Sequence, residues 1–199
     1  IGIVSHQLRA PLTNLRFSLD LLLSESAEQT KIDPKEYFVI LQENTKRMGV
    51  LIDNLLTVSK LESGKLPLDK KSVSLGEVVN NLVLKAKPFA EASQIRIATN
   101  FQTDLGKVSA DPFWLDQIVT NLLDNAVRYS KGGGQIDINI QRKGKNILLA
   151  VKDHGVGIPK EEQKFIFEKF FRSANALKHQ TDGSGLGLYI VKKFIELLG

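Results

Sequence analysis

Over roughly the first sixty residues, apolar side chains recur at helical spacing. Leu8, Leu12, Leu15, Leu19 and Leu22 follow one another at alternating intervals of four and three, the a/d seam by which helices pack together. Phe38, Leu41, Thr45, Met48, Ile52 and Leu55 repeat that spacing. The stretch from Ser24 to Lys35 is polar, Asp33-Pro34 offers an N-cap followed by a first-turn proline, and Gly64 ends the second run. The pattern predicts a helical hairpin. Two helices do not enclose a core, so a stripe on both arms points to a second copy completing a four-helix bundle, in preference to packing on the rest of the chain.

The pattern changes near residue 66 and becomes α+β. Ser74–Ala92 reads as an amphipathic helix, and Gln94–Asn100 as a short strand carrying Ile95 and Ile97. Asp111-Pro112 caps a helix running to about Ser130. Beyond Gly132–Gly134, Gln135–Ile140 alternates through Ile136, Ile138 and Ile140, and Asn146–Lys152 reads as a buried strand, the two forming a hairpin with its turn near Lys143-Gly144. Residues 154–184 are rich in glycine and charge with a cluster of phenylalanines, and Gly187–Leu198 closes as a helix. The expected division is therefore 1–66 and 67–199. There is no internal repeat and no low-complexity segment.

Composition narrows the function classes. With no cysteine, disulfide scaffolds, thiolate zinc sites and cysteine nucleophiles are excluded. Lys+Arg 27 against Asp+Glu 22 gives +5. That excess suits an anionic ligand, but it is spread along the chain and does not form a nucleic-acid arm. No apolar run reaches the ~18–20 residues of a membrane span, so the chain is expected to be soluble. It begins at Ile1 and carries its single Met at position 48, as expected of a fragment or processed product.

Four places can carry chemistry. At ~100° per residue His6 lies about 160° from Leu8 and away from the leucine seam, so it is expected to face solvent. Pro11 deletes the hydrogen bond to the carbonyl of Gln7 and bends the helix just past that histidine. Asn121, Asn125 and Arg128 share one strip of a helix. Amide oxygens suit Mg²⁺ held with phosphates and arginine suits phosphate, although a polar helix margin accounts for the same residues. In Asp153-His154-Gly155-Val156-Gly157-Ile158-Pro159, a carboxylate at a strand end can accept from an exocyclic amine, and two glycines let backbone approach a planar ring. Gly183-Ser184-Gly185-Leu186-Gly187-Leu188 opens an apolar helix and offers amide N–H groups to phosphate. It is neither a dinucleotide fingerprint, since the third glycine follows too soon and no strand precedes it, nor a Walker A motif.

The ordered set resembles bacterial sensor histidine kinases. Ser5-His6-Gln7-Leu8-Arg9-Ala10-Pro11-Leu12-Thr13 resembles their phosphoacceptor box, and Asn121-Leu-Leu-Asp-Asn125-Ala-Val-Arg128-Tyr129-Ser130 their N-box. Asp153-x-Gly155-x-Gly157 is similar to the first glycine box, Phe165-x-Phe167-x-x-Phe170-Phe171-Arg172 to the phenylalanine box, and Gly183 to Leu188 to the second glycine box. The resemblance covers nearly the whole chain. It implies a dimerisation and phosphotransfer hairpin followed by a Bergerat-type ATP-binding α/β sandwich. By that resemblance His6, oriented by Gln7, attacks the γ-phosphate of ATP and Asn125 holds Mg²⁺. Asn121 and Arg128 lie near the phosphates and Tyr129 against the nucleotide. Asp153 and the loop Gly155, Gly157, Ile158 bind adenine. Residues 158–187, with Phe171 and Arg172, form a mobile lid ending in the phosphate cradle Gly183, Ser184, Gly185, Leu186, Gly187 and Leu188. The phosphoryl group then passes to an aspartate of a response regulator receiver domain. The implied partners are a second copy and that regulator, with no nucleic acid, and the implied place is the cytoplasmic part of a sensor whose membrane attachment lies in regions before Ile1.

Two residues depart from the family pattern. The acidic residue that most often follows the histidine is Gln7 here, which orients an imidazole but takes no proton; a general base is typically worth ~10²–10⁴-fold. Ala10 stands where phosphatase-competent members tend to carry Thr or Asn, so weak phosphatase activity is expected. Family members also usually continue with two further strands beyond the final helix, which either are missing from the protein or follow Gly199; only in the first case does the sheet carry an open edge. Two other readings bear on the same residues. A nucleotide-binding scaffold that no longer transfers phosphate fits Gln7 and the short C-terminus. A Bergerat-fold ATPase of the topoisomerase or chaperone type lacks a histidine on a heptad hairpin.

Overall fold

The two periodic stretches form helices α1 (Gly2–Leu23) and α2 (Pro34–Glu62). α1 runs through Pro11 as one element, and α2 starts where Asp33 accepts the Lys35 backbone N–H at 2.9 Å, with proline in the first turn. The computed structural model describes residues 2–23, 33–64, 66–130, 132–180 and 183–198, without the side chains of residues 2–4, 6 and 34. The chain divides into two compact units, Ile1–Lys65 and Leu66–Gly199.

Within the hairpin the buried stripe differs from the one expected. The positions that lose solvent include Leu8, Pro11, Leu15, Ser18 and Leu22 on α1, and Tyr37, Leu41, Asn44, Met48, Leu51, Leu55 and Val58 on α2. Leu12 (57% exposed), Leu19 (47%), Phe38 (62%) and Ile52 (45%) remain in solvent, and Thr45 is exposed as well. The apolar stripe on each arm is wider than one helix–helix contact. One flank meets the other arm, and the second flank is left over. Leu12, Leu15, Leu19 and Leu23 line an open groove together with Leu41 and Thr45.

In the second unit a short antiparallel pair, β1 (Lys71–Val73) with β3 (Val108–Ala110), brackets helix α3 (Leu75–Ala92) and strand β2 (Arg96–Phe101). Helix α4 (Pro112–Tyr129) follows, then the hairpin β4 (Gln135–Lys143) and β5 (Asn146–Lys152). The main sheet has the order β2-β4-β5, with β2 parallel to β4 (Ile97 opposite Ile136, Thr99 opposite Ile138) and β4 antiparallel to β5 (Ile140 opposite Leu149). Ile136, Ile138 and Ile140 of β4 are buried against Val79, Leu82 and Val83 of α3 and Leu115, Val119, Leu123 and Ala126 of α4. Alternation places one face of β4 in the core, as its period of two requires.

The expectation that Asn146–Lys152 is buried is corrected. Ile147, Leu149 and Val151 share the face that packs on the core and are half-buried, whereas Leu148, turned to the opposite face by the period of two, is 39% exposed. A 3-10 turn (Gln163–Phe165), helix α5 (Ala174–His179) and helix α6 (Gly187–Leu198) complete the unit. Trp114 of α4 stacks on Phe194 of α6, ring centroids 4.0 Å apart. Two links seat the segment before β1: Asp111 both caps α4, through Phe113 N–H, and accepts Asp69 N–H, while the Lys70 ammonium reaches the terminal α6 carbonyls of Leu197 and Leu198. A cation at that end complements the helix dipole.

Candidate functional site

The site of the second unit is assembled where the C-terminal half of α4, the turn after β5 and the start of α6 meet. α4 puts its apolar side into the core and leaves Asn121, Asn125 and Tyr129 half-buried and Arg128 exposed. Asn121 is already engaged. Its Nδ2 donates to the Gln117 carbonyl at 2.9 Å, and its Oδ1 would lie only 2.7 Å from a Cβ on Gly187. Glycine at the first residue of α6 lets the helix opening approach α4 without displacing the Asn121 carboxamide. Asp124, between the two asparagines on the exposed side of α4, has its carboxyl pushed above the ordinary carboxylate range by partial desolvation, with Arg128 pulling the other way.

The turn after β5 docks on the end of α4. Val156 N–H donates to the Tyr129 carbonyl at 3.1 Å, and a Cβ on Gly155 would sit 2.1 Å from that same oxygen, so only glycine fits. Asp153 Oδ1 accepts Gly155 N–H at 3.0 Å, which orients a carboxylate that remains exposed at the strand end. His154 Nδ1 lies 2.9 Å from the Gln135 carbonyl and donates to it, anchoring the turn to the start of β4. Gly157 has φ +65° and a Cβ there would meet nothing within 4 Å. That backbone faces open space of the kind a planar ligand needs. Ile158, next along, is 40% exposed.

The second glycine loop is tied to the phenylalanine cluster. Phe170 N–H donates to the Gly185 carbonyl at 2.9 Å, and a Cβ on Gly185 would come within 2.6 Å of the Phe170 carbonyl carbon. Gly185 and Phe170 both have positive φ, +66° and +64°. For a bulky residue such as phenylalanine this conformation is costly and persists only where surrounding contacts impose it. Ser184 Oγ accepts Leu186 N–H at 3.2 Å, and Leu186 is fully buried beneath the loop. Phe165 and Phe171 pair with centroids 5.7 Å apart, and the Arg172 guanidinium donates to the Gln180 carbonyl beside Gly183. Leu188 is half-buried one residue into α6.

Sequence reasoning did not find α5 and the side chains that hold it. Ser173 Oγ caps it through Ala176 N–H, and Glu162 Oε2 accepts Ala174 N–H at 3.0 Å. Asn175 Nδ2 donates to the carbonyls of Val156 at 3.0 Å and Gly157 at 3.3 Å, and the His179 ring lies 6.5 Å from that of Tyr129. Asn175 and His179 are four residues apart, and this i, i+4 spacing after a serine N-cap was the available clue. In the first unit, residue 6 lies within α1 and Gln7 beside it is half-buried. The expectation that the His6 side chain faces solvent, and the polar turn of residues 24–32, lie outside the described residues.

Comparison with known proteins agrees with this organisation. Residues 1–64 match the family model for the His Kinase A (phospho-acceptor) domain, and residues 110–199 match that for the histidine kinase-, DNA gyrase B- and HSP90-like ATPase. The chain is 32% identical over 189 residues to the sensor-like histidine kinase SenX3 of Mycobacterium tuberculosis, covering 95% of this chain and 45% of the relative. It spans less than half the length of such curated relatives. Among solved structures, Acinetobacter baumannii histidine kinase AdeS superposes with a TM-score of 0.78 at 25% identity, covering 96% of this chain and 86% of that one. Mycobacterial sensor histidine kinase MprB gives a TM-score of 0.57 at 32% identity over 64% of this chain and 80% of that one. A phospho-acceptor hairpin, a glycine-lined nucleotide-type site and these matches together mean that the chain belongs to the sensor histidine kinase family.

Proposed function

We propose that this chain is the kinase core of a two-component system: it binds ATP in the second unit, phosphorylates His6 and passes the phosphoryl group to an aspartate of a response regulator receiver domain. The observation that carries the reading is the docking of the Asp153–Gly157 turn on the end of α4. It leaves the Asp153 carboxylate exposed beside glycine backbone that opens onto free space. That arrangement fits adenine, with Asp153 accepting from its amino group and Gly157 giving the ring room. Tyr129 flanks the nucleotide.

The phosphates are assigned to the strip Asn121, Asn125 and Arg128 and to the amides of Gly183–Leu188 at the opening of α6, where the helix dipole favours anions. Asn125 is the assigned protein ligand for Mg²⁺, its amide oxygen being a hard donor. When bound, that ion supplies charge neutralisation on the phosphates. Asn121 Nδ2 is already engaged by the Gln117 carbonyl. Phe171 and Arg172 belong to the lid of residues 158–187, which begins at Ile158 and excludes water when closed.

In the transfer itself, His6 Nε2 forms the new N–P bond as the bond from the γ-phosphorus to its bridging oxygen breaks, and ADP leaves. Gln7 holds the imidazole by a hydrogen bond but removes no proton; near pH 7 a neutral imidazole is already nucleophilic. The second copy is assigned to the leftover flank of the hairpin. The exposed Leu12, Leu19, Phe38 and Ile52 beside the groove provide the apolar surface that a four-helix bundle buries. Weak phosphatase activity follows from Ala10, which places no polar group for an attacking water.

Incubation with γ-labelled ATP and Mg²⁺ tests this, comparing the chain with its His6→Gln and Asn125→Ala variants. Acid-labile, alkali-stable label that vanishes in both variants is the expected result. Nucleotide binding without label would replace the kinase with a nucleotide-binding scaffold.

A further inference from the structure

We infer that Asn175 is a positioning residue for nucleotide binding: its carboxamide latches the lid helix α5 onto the turn that carries Asp153. The inference rests on the proposal that this turn binds the adenine of ATP. The latch has a specific shape. One amide nitrogen offers its two hydrogens to two successive carbonyls, Val156 at 3.0 Å and Gly157 at 3.3 Å. The same turn is gripped from the opposite side, where Val156 N–H donates to the Tyr129 carbonyl at 3.1 Å. Val156 is therefore clamped at both ends of its backbone, by the end of α4 and by α5, and the open space at Gly157 lies immediately beyond.

α5 cannot hold that position through its own helicity. It has six residues, well below the length at which an isolated helix is stable in water. Its order comes from attachments: Glu162 on its first N–H, Asn175 on the turn, and His179 beside the Tyr129 ring. Asn175 and His179 share one face of the helix at i, i+4, so a single face of α5 meets the adenine turn and the N-box tyrosine together. Removing the latch leaves the two carbonyls to water and lets α5 fray. Nucleotide must then reorder both segments as it binds, and affinity falls by that cost. Asn175 is assigned no contact with phosphate or with His6, so turnover at saturating ATP is unaffected.

The test uses the whole chain and its Asn175→Ala and Asn175→Asp variants. Three quantities are read: the ADP dissociation constant by calorimetry, KM and kcat for autophosphorylation, and deuterium exchange at the Val156 amide without nucleotide. Asn175→Ala is expected to weaken ADP and raise the KM for ATP about tenfold, equivalent to about 1.4 kcal/mol, with kcat within about twofold and faster exchange at Val156. Asn175→Asp keeps the size but aims a carboxylate at two carbonyls, and at pH 7.5 it is expected to be at least as impaired. If the aspartate variant behaves as the wild type, the side chain only fills space and the latch is wrong. An equal fall in kcat with unchanged KM also overturns it. If Asn175→Ala does not fold, the isosteric aspartate variant decides the question alone. If the unmodified chain fails to bind ADP, the ATP reading of the site falls, whereas normal ADP binding by both variants removes the latch and leaves that reading standing.

Discussion

Gly155→Ala forces a clash against backbone, and its consequence can be worked from distances. The new Cβ would lie 2.1 Å from the Tyr129 carbonyl oxygen, 2.7 Å from its carbonyl carbon and 2.8 Å from Asp153 Oδ1. Reaching ordinary van der Waals separation requires the turn to retreat by about 1 Å or more. The Val156 N–H to Tyr129 bond, now 3.1 Å, does not survive that retreat. Overpacking of this kind costs about 1–3 kcal/mol, and the lost hydrogen bond adds about 0.5–1.5 kcal/mol. Gly157→Ala is the matched control. Its Cβ meets nothing, so only the positive φ counts, at about 1 kcal/mol. At ~2–4 °C per kcal/mol for a chain of this size, the alanine at 155 should lower Tm by about 3–18 °C and the alanine at 157 by about 2–4 °C. Calorimetry with ADP provides the second axis. The methyl at 157 projects into the space assigned to adenine, so Gly157→Ala should lose more affinity than its small Tm change explains. A Gly155→Ala variant melting within about 1 °C of the unmodified chain would refute the packing argument. A Gly157→Ala variant that binds ADP normally would refute the assignment of the open space.

Three further predictions concern titration and the residues near His6. Because partial desolvation raises the Asp124 carboxyl, the folded chain binds its proton more tightly than the unfolded one, and stability is lost as pH climbs from the ordinary aspartate range through the raised value. Asp124→Asn should therefore raise the denaturant midpoint at pH 7–8, with the gap closing below about pH 4; equal gaps at both ends would contradict the cause given. Gln7→Glu should speed autophosphorylation, by up to the ~10²-fold at the lower end of general-base effects. The Gln7→Glu, Ala10→Thr double variant should gain regulator dephosphorylation, and no gain in that assay would sink the role given to Ala10.

What could be read in the chain beforehand is what is encoded locally. Asp33 and Asp111 announce their helices because each caps an N–H within a few residues of itself. The Ile136, Ile138, Ile140 alternation is buried as its period requires. The misjudged features depend on distant partners. Which flank of the α1 and α2 stripes is buried is decided by how the arms lean together, so Leu12 and Ile52 stay outside while Ser18 and Asn44 go in. Leu148 is exposed because it lies on the face of β5 opposite Ile147, Leu149 and Val151, and which face meets the core is decided by α3 and α4. The glycines of the site were recognisable as glycines, but the reasons for two of them, the Tyr129 backbone against Gly155 and the Phe170 backbone against Gly185, lie in distant parts of the chain. α5 escaped notice because its order is borrowed from Glu162 and the adenine turn, and six residues carry too little periodicity to declare themselves.

The bond from Phe170 N–H to the Gly185 carbonyl has a consequence for how such a chain can vary. It stitches together the two ends of the segment between them, so whatever lies in that segment hangs from a fixed base. For a loop closed in this way, doubling its length costs only ~0.6 kcal/mol in closure entropy. The segment also carries α5, pinned by Glu162, Asn175 and the Arg172–Gln180 bond, so insertions leave the opening of α6 and the phenylalanine cluster in place only where those attachments are kept. Length can vary only between those attachments, while Gly185, whose Cβ would come within 2.6 Å of the Phe170 backbone, tolerates almost no change.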